Sequence, residues 1–191
     1  YIDYAYNTDT SRKYMDIWNG LSENAMVIVS FSCSKTMTSY GLRCGAAVIL
    51  AQKEEPVTEM KTVLEKKARA TWSNIPNAAM ENFSWVVNEN KEEFLKEKQF
   101  YIDLMKERSS IFLTEAHQVG LAHYPFREGF FVTLKIYDND LCKKVHEAFL
   151  ENHIYTVKVN HGIRVGLCSL PSHKIYSLAK RMKEIEDAIL K

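Results

Sequence analysis

Short apolar runs and longer amphipathic segments alternate along the first hundred residues. Residues 25–31 and 46–50 are continuous apolar runs that include several β-branched residues. This pattern is typical of strands buried on both faces, as in parallel sheets covered by helices. A helix is predicted from Pro56, which suits a first helical turn, to about Ala68.

A much longer amphipathic pattern extends from about residue 77 to about residue 110. Its apolar stripe consists of Phe83, Val86, Val87, Phe94, Tyr101 and Met105. A helix of about 30 residues would reach roughly 45 Å, long enough to tie two domains together. We therefore predict one domain over residues 1–100 and a second over residues 101–191, joined by this helix.

The second half predicts a small α+β unit. Strands are expected at 130–136, 154–159 and 163–168, with a turn at 160–162. Asp138 or Asn139 is expected to cap a helix that continues to about Glu151. A last amphipathic helix carries Ile175, Leu178, Met182, Ile185 and Ile189. The fold class is thus α/β, with the end of a mostly parallel, helix-covered sheet followed by an α+β unit.

Charge and composition exclude several classes of function. The net charge is only +1 and no basic block is present, so nucleic acid is not an expected partner. No apolar run approaches the roughly 20 residues that span a bilayer, so a membrane is not expected either. The chain begins at Tyr1 with residues that already resemble folded core, and we expect it to be internal to a longer protein.

The cysteines and histidines give no metal-site pattern. Cys33, Cys44, Cys142 and Cys168 are far apart and form no CxxC pair, and the six histidines show no HExxH motif. We predict reduced thiols, no metal and a cytoplasmic location.

A group of residues with potentially catalytic side chains follows the first apolar run. Ser32-Cys33-Ser34-Lys35 is followed by Tyr40-Gly41-Leu42-Arg43-Cys44-Gly45. A lysine that is desolvated at a strand end beside another cation becomes a usable amine nucleophile. Arg43 would supply that second charge and could bind a phosphate bidentately.

This motif resembles that of the class I/II aminotransferases, the fold-type I enzymes dependent on pyridoxal 5'-phosphate. The resemblance implies that residues 1–100 are the C-terminal part of a three-layer large cofactor-binding domain. It also implies that Lys35 is the catalytic residue and binds the cofactor covalently, and that Ser32, Ser34 and Arg43 anchor its phosphate. The sequence departs from the family at Thr38, Ser39 and Cys44, which affects loop packing more than chemistry.

Two further segments carry the same resemblance. Asp3-Tyr4-Ala5-Tyr6 matches the family's D-x-A-Y, which implies that Asp3 pairs with the cofactor's ring nitrogen and Tyr6 donates to its ring hydroxyl oxygen. Residues 162–167 alternate so that Arg164 and Gly166 share one face of a strand. The resemblance implies that Arg164 binds the substrate α-carboxylate.

The substrate is less well defined. Glu81 falls near the position at which aspartate-type members carry an arginine for a distal carboxylate, so we do not expect a dicarboxylic substrate to be bound there.

The expected reaction is amino-group transfer between an amino acid and a 2-oxo acid, in a homodimer of the full-length protein. The alternatives are a fold-type I lyase and an aminotransferase-like ligand-sensing domain of a transcription regulator. The resemblance implies that the rest of the phosphate cradle precedes Tyr1. We therefore expect residues 1–191 alone to bind the cofactor weakly or not at all, to show no turnover and to expose apolar sheet edges.

Overall fold

The computed structural model describes residue 20 and residues 22–190. The chain divides into two compact units, Tyr1–Leu95 and Lys96–Lys191, and contains helices and two small sheets, so the fold is α/β. Within the described residues, no helix is both long and apolar enough to cross a membrane.

The first unit is built on a pair of strands, β1 (Met26–Ser32) and β2 (Gly45–Ala51). A short helix, α1 (Cys33–Thr36), and a 3₁₀ turn (Tyr40–Leu42) connect them. Helices α2 (Glu54–Thr71) and α3 (Asn77–Asn88) follow.

The pairing of β1 with β2 corrects the expectation of parallel, fully buried strands. The two strands are antiparallel, from Met26↔Ala51 to Ser32↔Gly45. The connection contains only a four-residue helix, whereas a parallel pair needs a crossover that normally includes a full helix. Along β1, exposed and half-buried residues alternate, so one face packs while the other stays accessible. Phe31 packs edge-on against Phe83 of α3, with ring centroids 6.0 Å apart.

The single helix predicted from about 77 to about 110 is two helices, α3 and α4 (Lys91–Val119). The N–H groups of Glu89 and Asn90 both donate to the Trp85 carbonyl, which ends α3. Asn88 and Asn90 flank the break, and asparagine competes with helical hydrogen bonds through its own side chain. Helix α4 continues past Ser110 because Phe112 and Ala116 extend its buried face, and Gly120, with φ +71°, follows its end.

The second unit contains an antiparallel sheet of order β3-β5-β4, formed by Phe131–Lys135, Gly162–Gly166 and Val157–Val159 respectively. Helix α5 (Asn139–Glu151) and helix α6 (Leu178–Leu190) pack with it, and a 3₁₀ turn (Ser172–Lys174) precedes α6. Asp138 caps α5 by accepting from the N–H groups of Asp140 and Leu141, as predicted.

Burial differs sharply between the two units. The buried core cluster lies in the second unit and includes Phe112, Leu134, Phe149, Ile163, Leu167 and Met182. In the described part of the first unit only Cys33, Met37 and Ala79 are buried, while Val48, Trp72 and Trp85 are about half exposed or more. Of these exposed residues only Val48 lies in the sheet, and the exposed apolar sheet edges expected from the sequence stay a prediction.

Candidate functional site

Lys35 lies in the turn that follows β1. The Ser32 backbone is extended (φ −124°, ψ 126°), and its hydroxyl accepts a hydrogen bond from the Ser34 N–H at 3.3 Å. This is the geometry of a helix N-cap, and it redirects the chain from the strand into α1, which carries Lys35. Ser32 and Lys35 are exposed, and Ser34 is half-buried. Residues 22–190 therefore do not desolvate Lys35, and the desolvation expected from the sequence stays a prediction for the full-length protein.

Arg43 adopts a backbone conformation that ordinary residues rarely hold. Its φ of 52° and ψ of 46° lie in the left-handed region, which costs a non-glycine residue about 1–2 kcal/mol. Thr38 in the same loop also has a positive φ, of 50°. Residues with strained backbone conformations are common at functional sites, and they persist only where the surrounding structure holds them in place.

The Arg43 side chain folds back over the loop. Its Nη1 donates to the Tyr40 carbonyl at 2.7 Å and to the Ser34 hydroxyl at 3.4 Å. Arg43 therefore contacts Ser34, the residue immediately before Lys35, so two of the four site residues predicted in this motif come together here. Ser32 joins them through its hydrogen bond to Ser34.

Tyr40 is the member of this cluster whose role sequence reasoning missed. The Lys35 Nζ lies 4.4 Å from the centroid of the Tyr40 ring, and the Arg43 Cζ lies 5.4 Å from it. Both cations are within the range of a cation–π interaction with the same ring. The available signal was the position of an aromatic residue between the lysine and the arginine. We call Ser32, Ser34, Lys35, Tyr40 and Arg43 the lysine cluster.

Gly45 is needed where β2 begins. A Cβ atom on this residue would lie 2.6 Å from the Phe31 carbonyl oxygen, closer than real Cβ contacts allow. The absence of a side chain lets β2 start directly opposite Ser32. The glycine that closes the sequence motif therefore maintains the strand pairing from which the lysine cluster projects.

Arg164 belongs to the second unit, on the central strand β5. Its neighbours Ile163 and Val165 are 0% and 2% exposed, so the predicted alternation is confirmed and Arg164 lies on the other face of the sheet. The guanidinium Cζ lies 4.4 Å from the centroid of the Phe131 ring. Its Nε is buried and has no hydrogen-bond partner within the part of the chain that the structure describes. A buried guanidinium donor without a partner is suited to an anionic ligand.

Asp3 and Tyr6 lie outside the described residues, so their predicted contacts with a cofactor ring stay predictions.

Comparison with known proteins gives a consistent result. The family model for aminotransferase class I and II matches residues 1–182. A crystal structure of an aminotransferase from Anaerococcus prevotii is 30% identical, with a TM-score of 0.88, and the match covers 100% of this chain and 46% of that one. The broad specificity aminotransferase from Leishmania mexicana is 18% identical, with a TM-score of 0.61 over 84% of this chain and 39% of that one, and shows likeness of fold alone.

The chain thus spans less than half the length of either solved structure. No curated protein sequence gives a significant match. The family match covers both the motif that forms the lysine cluster and the strand that carries Arg164, and on this basis the chain belongs to the class I and II aminotransferase family.

Proposed function

We propose that the full-length protein is a pyridoxal-phosphate-dependent aminotransferase that transfers an amino group between an amino acid and a 2-oxo acid. Family membership supports this proposal. The observation that carries it is the lysine cluster, in which a primary amine, a guanidinium and two serine hydroxyls meet in one strained turn.

The donor set of the lysine cluster fits a cofactor that has a phosphate and an aldehyde. Within residues 22–190, neither Lys35 nor Arg43 forms an ion pair with a carboxylate. Two neighbouring cations that have no counter-charge among these residues favour a polyanion such as a phosphate ester. Within residues 22–190 both hydrogen bonds of Arg43 use Nη1, which leaves Nε and Nη2 to present the planar fork that binds phosphate bidentately. The primary amine of Lys35 is the group that can bond an aldehyde covalently.

Each residue then has a distinct task. Pyridoxal phosphate supplies an electron sink that stabilises negative charge on the substrate α-carbon. Lys35 would hold the cofactor, and its Nζ would accept a proton from the substrate and return it. Arg43, Ser32 and Ser34 bind the phosphate and so fix the distance between the ring and Lys35.

The remaining assigned residues would act on the cofactor ring and orient the substrate. Asp3 would keep the ring nitrogen protonated, and Tyr6 would donate a hydrogen bond to the ring hydroxyl oxygen. Arg164 binds the substrate α-carboxylate through its fork and so orients the α-carbon. We further propose a cytoplasmic homodimer as the working form of the full-length protein.

The test is a turnover assay on the full-length protein with a panel of amino acids and a 2-oxo acid acceptor. The proposal predicts that one 2-oxo acid forms from the donor while the acceptor becomes an amino acid, in equal amounts and without free ammonia. Ammonia release that does not need an acceptor would instead identify a lyase. Ligand binding without any turnover across the panel would favour the ligand-sensing alternative.

A further inference from the structure

Cys33 and Cys44 face each other at the base of the lysine cluster. Cys33 is the first residue of α1, and Cys44 follows Arg43, so each lies one residue beyond the last strand pair, Ser32↔Gly45. The Cys33 N–H donates to the Cys44 carbonyl at 3.1 Å, which extends the antiparallel ladder by one step. Residues opposite each other in such a ladder have Cα atoms about 4.5–5.5 Å apart. A disulfide spans about 4.4–6.8 Å between Cα atoms, so the spacing of one ladder step lies within the range that a disulfide needs.

The two thiols have different accessibility. Cys33 is 2% exposed, whereas Cys44 is half-buried and can meet a small molecule from solvent. Burial, followed by a hydrogen bond to the Cys44 thiol and by the charge of Cys44, raises the pKa of the Cys33 thiol to about 11. The difference in exposure makes Cys44 the attacking thiol and the neighbouring, buried Cys33 the resolving thiol.

We propose that Cys33 and Cys44 form a covalent modification site that reacts with small-molecule disulfides and closes to a Cys33–Cys44 disulfide at the base of the lysine cluster. This site stands independently of the proposed function, because it needs no bound cofactor and no turnover.

The reaction is a two-step exchange. The Cys44 thiolate attacks one sulfur of the small disulfide, breaks its S–S bond and releases one thiolate. The Cys33 sulfur then attacks the Cys44 sulfur and expels the second thiolate, which takes up the Cys33 proton. The two protein thiols lose two electrons and two protons in total, and the small disulfide is reduced to two thiols.

Closure would constrain the loop that carries the lysine cluster. Lys35, Tyr40 and Arg43 all lie between the two cysteines, and the contacts among them are within this loop. A bond between residues 33 and 44 fixes both ends of that loop, including the residue next to the left-handed Arg43. The modification would therefore limit the movement of Lys35 and Arg43 relative to each other.

The test is peptide mapping of the folded full-length protein after exposure to oxidised glutathione, with remaining thiols blocked by alkylation. The proposal predicts a cross-linked peptide pair that contains Cys33 and Cys44 and returns to two thiols on reduction. Cys142 serves as an internal control, because it is buried and its Sγ donates to the Gly162 carbonyl at 3.2 Å. Its modification should be at least about ten-fold slower.

Two variants, a test and a control, show whether the cross-link depends on Cys44. Cys44→Ser should leave Cys33 reduced and abolish the cross-link, whereas Cys168→Ser, which removes another half-buried thiol, should leave the cross-link unchanged. The wild-type map decides the matter even if a variant folds poorly. A stable glutathione adduct on Cys44 without closure, or no reaction at either residue, would overturn the proposal.

Discussion

Arg43 donates a hydrogen bond to the hydroxyl of Ser34 at 3.4 Å and so connects the residue before Lys35 to the far end of the loop. The same guanidinium nitrogen donates to the Tyr40 carbonyl at 2.7 Å. These hydrogen bonds offset part of the free-energy cost of the left-handed backbone conformation at Arg43. The other guanidinium donors form no hydrogen bond within residues 22–190, so this side chain is suited to anion binding.

Replacement of Arg43 tests its assignment to the phosphate. Arg43→Lys keeps a positive charge but loses the planar fork, and charged hydrogen bonds contribute about 1.5–3 kcal/mol each. We expect cofactor affinity of the full-length protein to fall by about ten-fold to a hundred-fold, measured by fluorescence titration with pyridoxal phosphate. Arg69→Lys is the matched control, because Arg69 is also exposed and donates to a serine hydroxyl, that of Ser73. Equal affinities for the two variants would remove Arg43 from the phosphate site.

Replacement of Gly45 tests the close approach of β1 and β2. Gly45→Ala would bring a Cβ atom within 2.6 Å of the Phe31 carbonyl oxygen, and overpacking of this kind costs about 1–3 kcal/mol. We expect the free energy of unfolding to fall by that amount in denaturant titrations. Gly41→Ala should have little effect, because a Cβ atom there would meet nothing within 4 Å. The strand geometry would be wrong if both variants were equally stable.

Several local features could be predicted from the sequence because neighbouring residues determine them. The alternation of Ile163, Arg164 and Val165 follows from strand geometry, and the cap at Asp138 follows from residue preference at helix starts. Ser32, Ser34, Lys35 and Arg43 could be singled out from the sequence as one group because they lie within one short motif that folds back on itself.

Features that depend on long-range contacts could not be predicted. Cys33 and Cys44 are separated in the sequence and become neighbours only because β1 and β2 are antiparallel. Glu115 of α4 accepts hydrogen bonds from the N–H groups of Ala179 and Lys180 and so caps α6 from a distant part of the chain. No sequence pattern at either helix indicates that pairing.

Arg164 is predicted to bind substrate rather than cofactor. Arg164→Lys keeps the charge but cannot form the two parallel bonds to a carboxylate. We expect kcat/KM for the amino acid to fall by about ten-fold to a hundred-fold, mainly through a higher KM, with cofactor affinity unchanged. Lys158→Gln on the adjacent strand β4, where Lys158 pairs with Ile163, is the control and should leave both quantities unchanged. A loss of cofactor affinity in Arg164→Lys would contradict the assigned role.

The cap at Asp138 predicts a pH dependence of stability. Hydrogen bonds from the backbone N–H of Leu141 and then of Asp140 lower the pKa of the Asp138 carboxyl. Because this pKa is lower in the folded state, the carboxylate stabilises the folded protein at pH values above its unfolded-state pKa, near 4. This contribution is lost as the pH falls through the folded-state pKa. Asp138→Ala should therefore lower Tm at neutral pH, with a gap from wild type that narrows in acid.

Asp138→Asn separates charge from capping. Asparagine is also a good N-cap residue, so this variant should keep most of the Tm at neutral pH but lack the titration at this position. If the gap between Asp138→Ala and wild type stayed constant as the solution was acidified, the carboxylate form would not be the source of the capping stability.

The most direct test of the account asks which lysine carries the cofactor. The full-length protein would be incubated with pyridoxal phosphate, reduced with borohydride and mapped by peptide mass spectrometry, alongside Lys35→Ala and the exposed-lysine control Lys61→Ala. We predict that the cofactor's mass is found on the peptide containing Lys35, is lost in Lys35→Ala and persists in Lys61→Ala. Stoichiometric labelling of a different lysine, with Lys35 unmodified, would contradict the account.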